Sequence, residues 1–94
     1  MRKAYLLAYS DAKVTRAQIT NFLNASSLII TWRYDMPNSY YLISEHSAAE
    51  ISAALREQLV PFRHLLVEIN ENYAGWLLSD SWYLIKQKKI KPKE

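Results

Sequence analysis

Leu28-Ile29-Ile30-Thr31-Trp32-Arg33-Tyr34, then Asp35-Met36-Pro37-Asn38, then Ser39-Tyr40-Tyr41-Leu42-Ile43-Ser44: this run decides the fold. Its two flanks are rich in β-branched and aromatic residues, which suit a pleated, half-buried surface. The segment between them carries turn chemistry: Pro37 fixes φ, and Asp35 and Asn38 can bond back to nearby backbone. The reading is a β-hairpin in the middle of the chain.

A capping box stands on either side of the hairpin. Thr15-Arg16-Ala17-Gln18 opens a helix that buries Ile19, Phe22 and Leu23 and ends over Asn24 to Ser27, while Ser47-Ala48-Ala49-Glu50 opens a second, with Ile51, Ala54, Leu55 and Leu59 at helical spacing. Pro61 closes the second helix because it has no amide to donate and disfavours helical geometry at Val60. Further out, Ala4-Tyr5-Leu6-Leu7-Ala8-Tyr9 reads as a central strand and His64-Leu65-Leu66-Val67-Glu68-Ile69-Asn70 as a fourth, with Leu65, Val67 and Ile69 expected on the buried side. The chain turns through Asn72 to Gly75, and Asp80 to about Lys89 predicts a short terminal helix carrying Trp82 and Ile85.

The order βαββαβ plus a terminal helix predicts an α+β, ferredoxin-like, two-layer sandwich. Right-handed crossovers place both main helices on one face of a four-stranded antiparallel sheet. The other face is open unless a partner or the terminal helix covers it. At 94 residues one domain is expected, burying about 60 to 65% of the surface an unfolded chain exposes. We place it at residues 1–85, followed by a basic tail at 86–94.

That boundary rests on charge. The net charge is +3, yet from Lys86 onward five lysines face one glutamate, and the first 85 residues carry seven basic and eight acidic side chains. The basicity therefore belongs to Lys86, Lys88, Lys89, Lys91 and Lys93, which offer polyanions such as nucleic acid a salt-sensitive contact and otherwise serve as a solvated end. Half the residues are apolar and 13% aromatic, so burial can offset the entropy of ordering the chain. No run approaches the roughly 18 apolar residues of a membrane span. With no leader pattern either, the expectation is a cytoplasmic, unprocessed protein with no membrane partner.

Composition removes several chemistries. The absence of cysteine excludes disulfide frameworks, thiol catalysis and iron–sulfur ligation, and the single glycine, Gly75, excludes phosphate-cradling loops and dinucleotide fingerprints. His46 and His64 lack the spacing of a metal pair, and no serine has the glycine neighbours of a nucleophile elbow. The candidate interaction face is Tyr5, Tyr9, Thr31, Arg33, His64 and Glu68, residues read as pointing out of the open side of the sheet, where tyrosine and arginine suit a protein interface or stack on bases.

The residues Tyr5-Leu6-Leu7-Ala8-Tyr9, Trp32, Tyr40-Tyr41-Leu42-Ile43, the helix from Ser47 to Leu59, Leu65-Leu66-Val67-Glu68-Ile69 and Ala74-Gly75-Trp76 together resemble the SinR family of small bacterial proteins. That family is similar to the CRISPR-associated ferredoxin-like nucleases. The resemblance runs loosely over residues 4–85 and implies a ferredoxin-like fold and homodimerisation. In the nuclease relatives an aspartate directly after a tyrosine at the end of strand one is associated with a metal ion. Here Tyr9 is followed by Ser10, and the acid comes one place later at Asp11, a displacement that can send a carboxylate to the opposite face of a strand.

Three functions follow as expectations. The first is a non-enzymatic, self-associating protein-interaction or regulatory module with no cofactor. The second is a nuclease using magnesium or manganese at Asp11, whose bland role is to cap a turn. The third is a binder of single-stranded nucleic acid, or a phage-type inhibitor of a host protein.

Overall fold

The computed structural model of the protein describes residues 1–92. Strand β1 is Lys3–Tyr9, helix α1 Arg16–Ala25, strand β2 Thr31–Arg33, strand β3 Ser39–Ser44, helix α2 Ala48–Gln58, strand β4 His64–Glu68 and helix α3 Ser79–Gln87. The four strands form one antiparallel sheet in the order β2-β3-β1-β4, so an α+β domain carries three helices on a four-stranded sheet. In each βαβ unit the two strands run parallel with one antiparallel strand inserted between them. The strands β1 and β3 lie in the middle, and β2 and β4 are the edges.

Both capping boxes form. The Gln18 amide donates to Thr15 Oγ1 at 3.1 Å and the Thr15 amide to Gln18 Oε1 at 2.8 Å, and the Ser47–Glu50 pair repeats the exchange at 3.2 Å in each direction. Each N-cap stabilises its helix by about 1 kcal/mol. Helix α2 stops at Leu59, whose amide donates back to the Leu55 carbonyl, two residues before Pro61. Asn38 takes a left-handed conformation, φ 58°, in the hairpin turn, and its carbonyl accepts from the Tyr9 amide.

The first face of the sheet lies under α1 and α2. Tyr5, Leu7, Tyr9, Tyr40 and Leu42 meet Ile19, Phe22, Leu23, Ile51 and Leu55 there, with Trp32 and Leu66 packed at the margin. Full burial of such side chains is worth about 1.5–3 kcal/mol each. The buried tyrosines bring their hydroxyls to partners: Tyr5 donates to the His46 carbonyl at 2.6 Å, and Tyr40 lies within hydrogen-bond distance of Thr20 Oγ1 and the Arg16 carbonyl. They are core residues.

The second face carries α3. Leu84 and Ile85 close over Ala4, Tyr41 and Ile43, with Leu6, Ile69, Leu77 and Trp82 at the rim. Helix α3 has no side-chain cap of its own, and Asp35 supplies one from the sheet: Oδ2 accepts from the Leu78 amide and, at 2.7 Å, from Ser81 Oγ, while Oδ1 accepts from the Tyr41 hydroxyl. A carboxylate at this end also complements the helix dipole.

Two sequence expectations are corrected here. Regular pairing in β2 covers three residues rather than seven, because Ile29 turns into the core and its amide bonds the Ser26 carbonyl. The phase of β4 is reversed: Leu66 packs on the first face, while Leu65 is 63% and Val67 40% exposed. The cause is register. Tyr5, Leu7 and Tyr9 lie opposite Glu68, Leu66 and His64, and opposite residues share a face, so burying the three bulky β1 side chains fixes which β4 residues go inward.

Candidate interaction surface

Strand β4 ends the sheet, and its ladder with β1 determines which backbone groups are free. The Ile69 amide donates to the Ala4 carbonyl at 2.7 Å and the Ser10 amide to the Arg63 carbonyl at 3.0 Å. In an antiparallel ladder the groups of alternate residues turn to the same neighbour, so residues 63, 65, 67 and 69 bond β1. The amides and carbonyls of His64, Leu66 and Glu68 therefore point to the open side.

Beside this edge lies the part of the second face that α3 does not reach, with exposed Leu65 and Val67 standing opposite Ala8 and half-buried Leu6. Long apolar edges are the feature natural sheets usually blunt with charge or proline. On the first-face side of β4 a shallow groove is lined by Ala48, Ala49, Ser52, His64, Leu65 and Leu66. The flank of α2 is built there from short side chains. His64 is held in the groove, Nε2 against Ser52 Oγ at 2.7 Å and Nδ1 against the Phe62 carbonyl at 3.0 Å.

At the other edge, β2, the aromatic side chains are held against α1. Trp32 Nε1 donates to Asn24 Oδ1 at 2.8 Å, the Trp32 ring stacks on Tyr34, and the Arg16 guanidinium lies 3.9 Å over the Tyr34 ring. Cation–π contacts of this kind are worth about 0.5–1 kcal/mol or more as they lose water.

The six residues expected on one interaction face are split by the structure. Tyr5 and Tyr9 are buried under the helices. Thr31 and Arg33 belong to the α3 side, where Arg33 Nε donates to Ser81 Oγ at 2.9 Å and a guanidinium nitrogen lies 3.8 Å from Asp80. His64 and Glu68 sit on β4, on the side of Tyr5 and Tyr9, at the open edge. Burial first, then the Glu68 and Glu50 charges, raises the pKa of the Tyr5 phenol; burial and then Tyr40 do so for Tyr9.

Asp11 stands exposed on the turn after β1, and that turn's side-chain bond comes from Ser10, whose Oγ accepts the Ala12 amide at 3.3 Å. Among the described residues no three histidine, aspartate or glutamate side chains come together as a metal cluster. The basic tail starts inside α3, which runs on to Gln87, so the expected boundary at residue 85 cuts a helix. Lys86 lies over the Trp82 ring, the Lys88 carbonyl accepts from Arg2, and Lys91 Nζ is 3.7 Å from Asp80. Lys93 lies outside the described residues. No helix among those residues is long and apolar enough to cross a membrane.

Sequence reasoning missed Leu65, Val67 and Trp76, which is 97% exposed in the segment before α3. For the first two, the signal was the β1–β4 register, which no local window contains. No family model matches the chain, and neither a curated protein nor a solved structure does.

Proposed function

We propose that the domain is a non-enzymatic, self-associating protein-interaction module that works through the β4 edge and the apolar strip beside it. One observation carries this reading: exposed Leu65 and Val67 adjoin a row of unpaired backbone groups on the same strand. Surface that is both apolar and hydrogen-bonding is what β-strand addition consumes, the backbone supplying affinity and alternate side chains specificity. The homodimerisation implied by the SinR-family resemblance agrees with it. The split βαβ order, β2-β3-β1-β4, supports reading the architecture as ferredoxin-like.

The Asp11 nuclease reading has less support, because its carboxylate stands on an exposed turn apart from other candidate ligands. Light scattering on the eluting protein over a wide concentration range tests the proposal. A concentration-dependent dimer, with backbone amides of residues 64–68 exchanging more slowly as concentration rises, is the expected result. A strict monomer at high concentration overturns self-association.

A further inference from the structure

The pattern of β4 also specifies what docks there. Building on the interaction-module reading, we propose that the occupant is a second copy of this chain, paired antiparallel to β4 about a two-fold axis at Leu66, so that two four-stranded sheets become one.

The argument is one of register. An isologous antiparallel pair sets outward-facing residues against outward-facing residues, which allows an axis at any position from His64 to Glu68. An axis at Leu65 sets Leu66 opposite the partner's His64 and Glu68 opposite the partner's Phe62, and one at Val67 sets Leu66 opposite the partner's Glu68, each an apolar side chain against a polar one. An axis at Glu68 sets two carboxylates directly opposite each other. An axis at His64 puts Glu68 opposite the partner's Val60, beyond the end of the strand. An axis at Leu66 overlaps the whole strand and sets apolar side chains opposite apolar ones and polar opposite polar. Leu66 meets the partner's Leu66 on the first face, Leu65 meets the partner's Val67 twice on the second, and His64 meets the partner's Glu68 at both ends. About six backbone hydrogen bonds form, two for each outward-facing pair.

Charge and shape agree with this register. The partner's Glu68 arrives beside the Ser52–His64 pair and on the flank of α2 that carries Arg56, one turn beyond Ser52. The axis runs perpendicular to the sheet, so both α2 helices lie on the same side and approach each other. The short side chains Ala48, Ala49 and Ser52 leave room for that approach. On the second face Leu65 and Val67 of the two copies stand side by side and shield one another laterally.

The chain has no cysteine, so single-cysteine variants report the register cleanly. Leu65→Cys and Val67→Cys, on differently tagged chains, are mixed and mildly oxidised. In the proposed register the thiol introduced by Leu65→Cys lies opposite the one introduced by Val67→Cys on the other chain, at a Cα separation of about 4.5 Å and within disulfide reach, whereas two copies of either variant alone place their thiols diagonally at about 7–8 Å. The expected result is a mixed disulfide at least about tenfold more abundant than either homodimeric one, judged against the disulfide reach that sets the contrast. Light scattering on the wild type separates the two failures. A dimer whose mixed variants show no such excess overturns the register while leaving self-association standing, and a wild-type monomer at all concentrations overturns both.

Discussion

The two faces of the sheet are built on opposite principles. The first is a continuous apolar layer in which α1 and α2 cover the strands and the tyrosine hydroxyls find partners at the periphery. The second is covered over β1 and β3 by one nine-residue helix, which is tied to the sheet by a polar cluster and leaves β4 bare. Burial holds the first face together, and a smaller apolar cluster joined to the Asp35 hydrogen bonds holds the second. Stability should therefore reside in the first layer, while the second can open or exchange partners at lower cost.

The largest effect should come from Leu55→Ala. Leu55 is fully buried between α2 and the sheet, and truncating such a leucine costs about 2–5 kcal/mol including the cavity left behind. Urea denaturation should show that loss as a lower midpoint with tertiary and secondary signals falling together. If the first layer melted while α3 stayed docked on the sheet, the ranking of the two faces would be reversed.

Next comes Asp35→Ala. This carboxylate joins the Tyr41 hydroxyl, Ser81 Oγ and the Leu78 amide, and Ser81 has no exposed surface from which to recruit water. Leaving the buried Tyr41 and Ser81 hydroxyls without this acceptor costs about 1–3 kcal/mol each. The expected signature is local: backbone amides of α3 lose protection against hydrogen exchange while those of α1 and α2 keep theirs. Equal loss in all three helices would show that the faces are not separable.

The same cluster responds to pH. Burial first, and the hydrogen bond to Asp35 second, push the Tyr41 phenol up to about 12, from an ordinary value of 10.0. Its contribution to stability is fully present below pH 10, where folded and unfolded chains are both protonated. It is lost as pH rises towards 12, because the unfolded chain ionises first. Tyr5 and Tyr9 shift in the same direction, so both faces weaken in alkali. Melting temperatures measured between pH 9 and 11 should fall less steeply in Tyr41→Phe than in the wild type. At the acid end Glu50, lowered from 4.5 chiefly by its bond to the Ser47 backbone and then by His46, contributes above that value and loses its contribution as pH falls through the lowered one.

How far the sequence reveals this arrangement depends on how local each determinant is. The capping boxes at Thr15 and Ser47, the Pro61 stop and the turn around Pro37 are written within a few residues; the boxes and the stop appear as read, and the hairpin forms with a shorter first strand. The phase of β4 is not local. Periodicity favours the wholly apolar set Leu65, Val67 and Ile69 over His64, Leu66 and Glu68, and it is overruled across the ladder by β1. Strand β1 is ambiguous in turn: Tyr5 and Tyr9 look like surface aromatics until the His46 carbonyl and the Tyr40 ring appear beside them. Asp35 reads as a turn residue and acts as a cap for a helix more than forty positions later. The burial of Tyr5 and Tyr9, and the placing of Thr31 and Arg33 on the opposite face from Tyr5, Tyr9, His64 and Glu68, follow from the same missing long-range information.

The smallest change in folding stability should come from Leu65→Lys, and it distinguishes the covered and bare parts of the second face most sharply. Leu65 is mostly solvent-exposed, and its amide and carbonyl bond β1, so the substitution removes no backbone partner and little buried surface. Surface changes of this kind stay within about 0.5 kcal/mol of wild type. The lysine nonetheless places a charge on an edge strand, a device by which sheets refuse further strands. Denaturation measured at low concentration should match the wild type, while the dimer should dissociate at concentrations where the wild type remains paired. A stability loss as large as that of Leu55→Ala would show instead that Leu65 belongs to the core and that the bare strip is part of the fold.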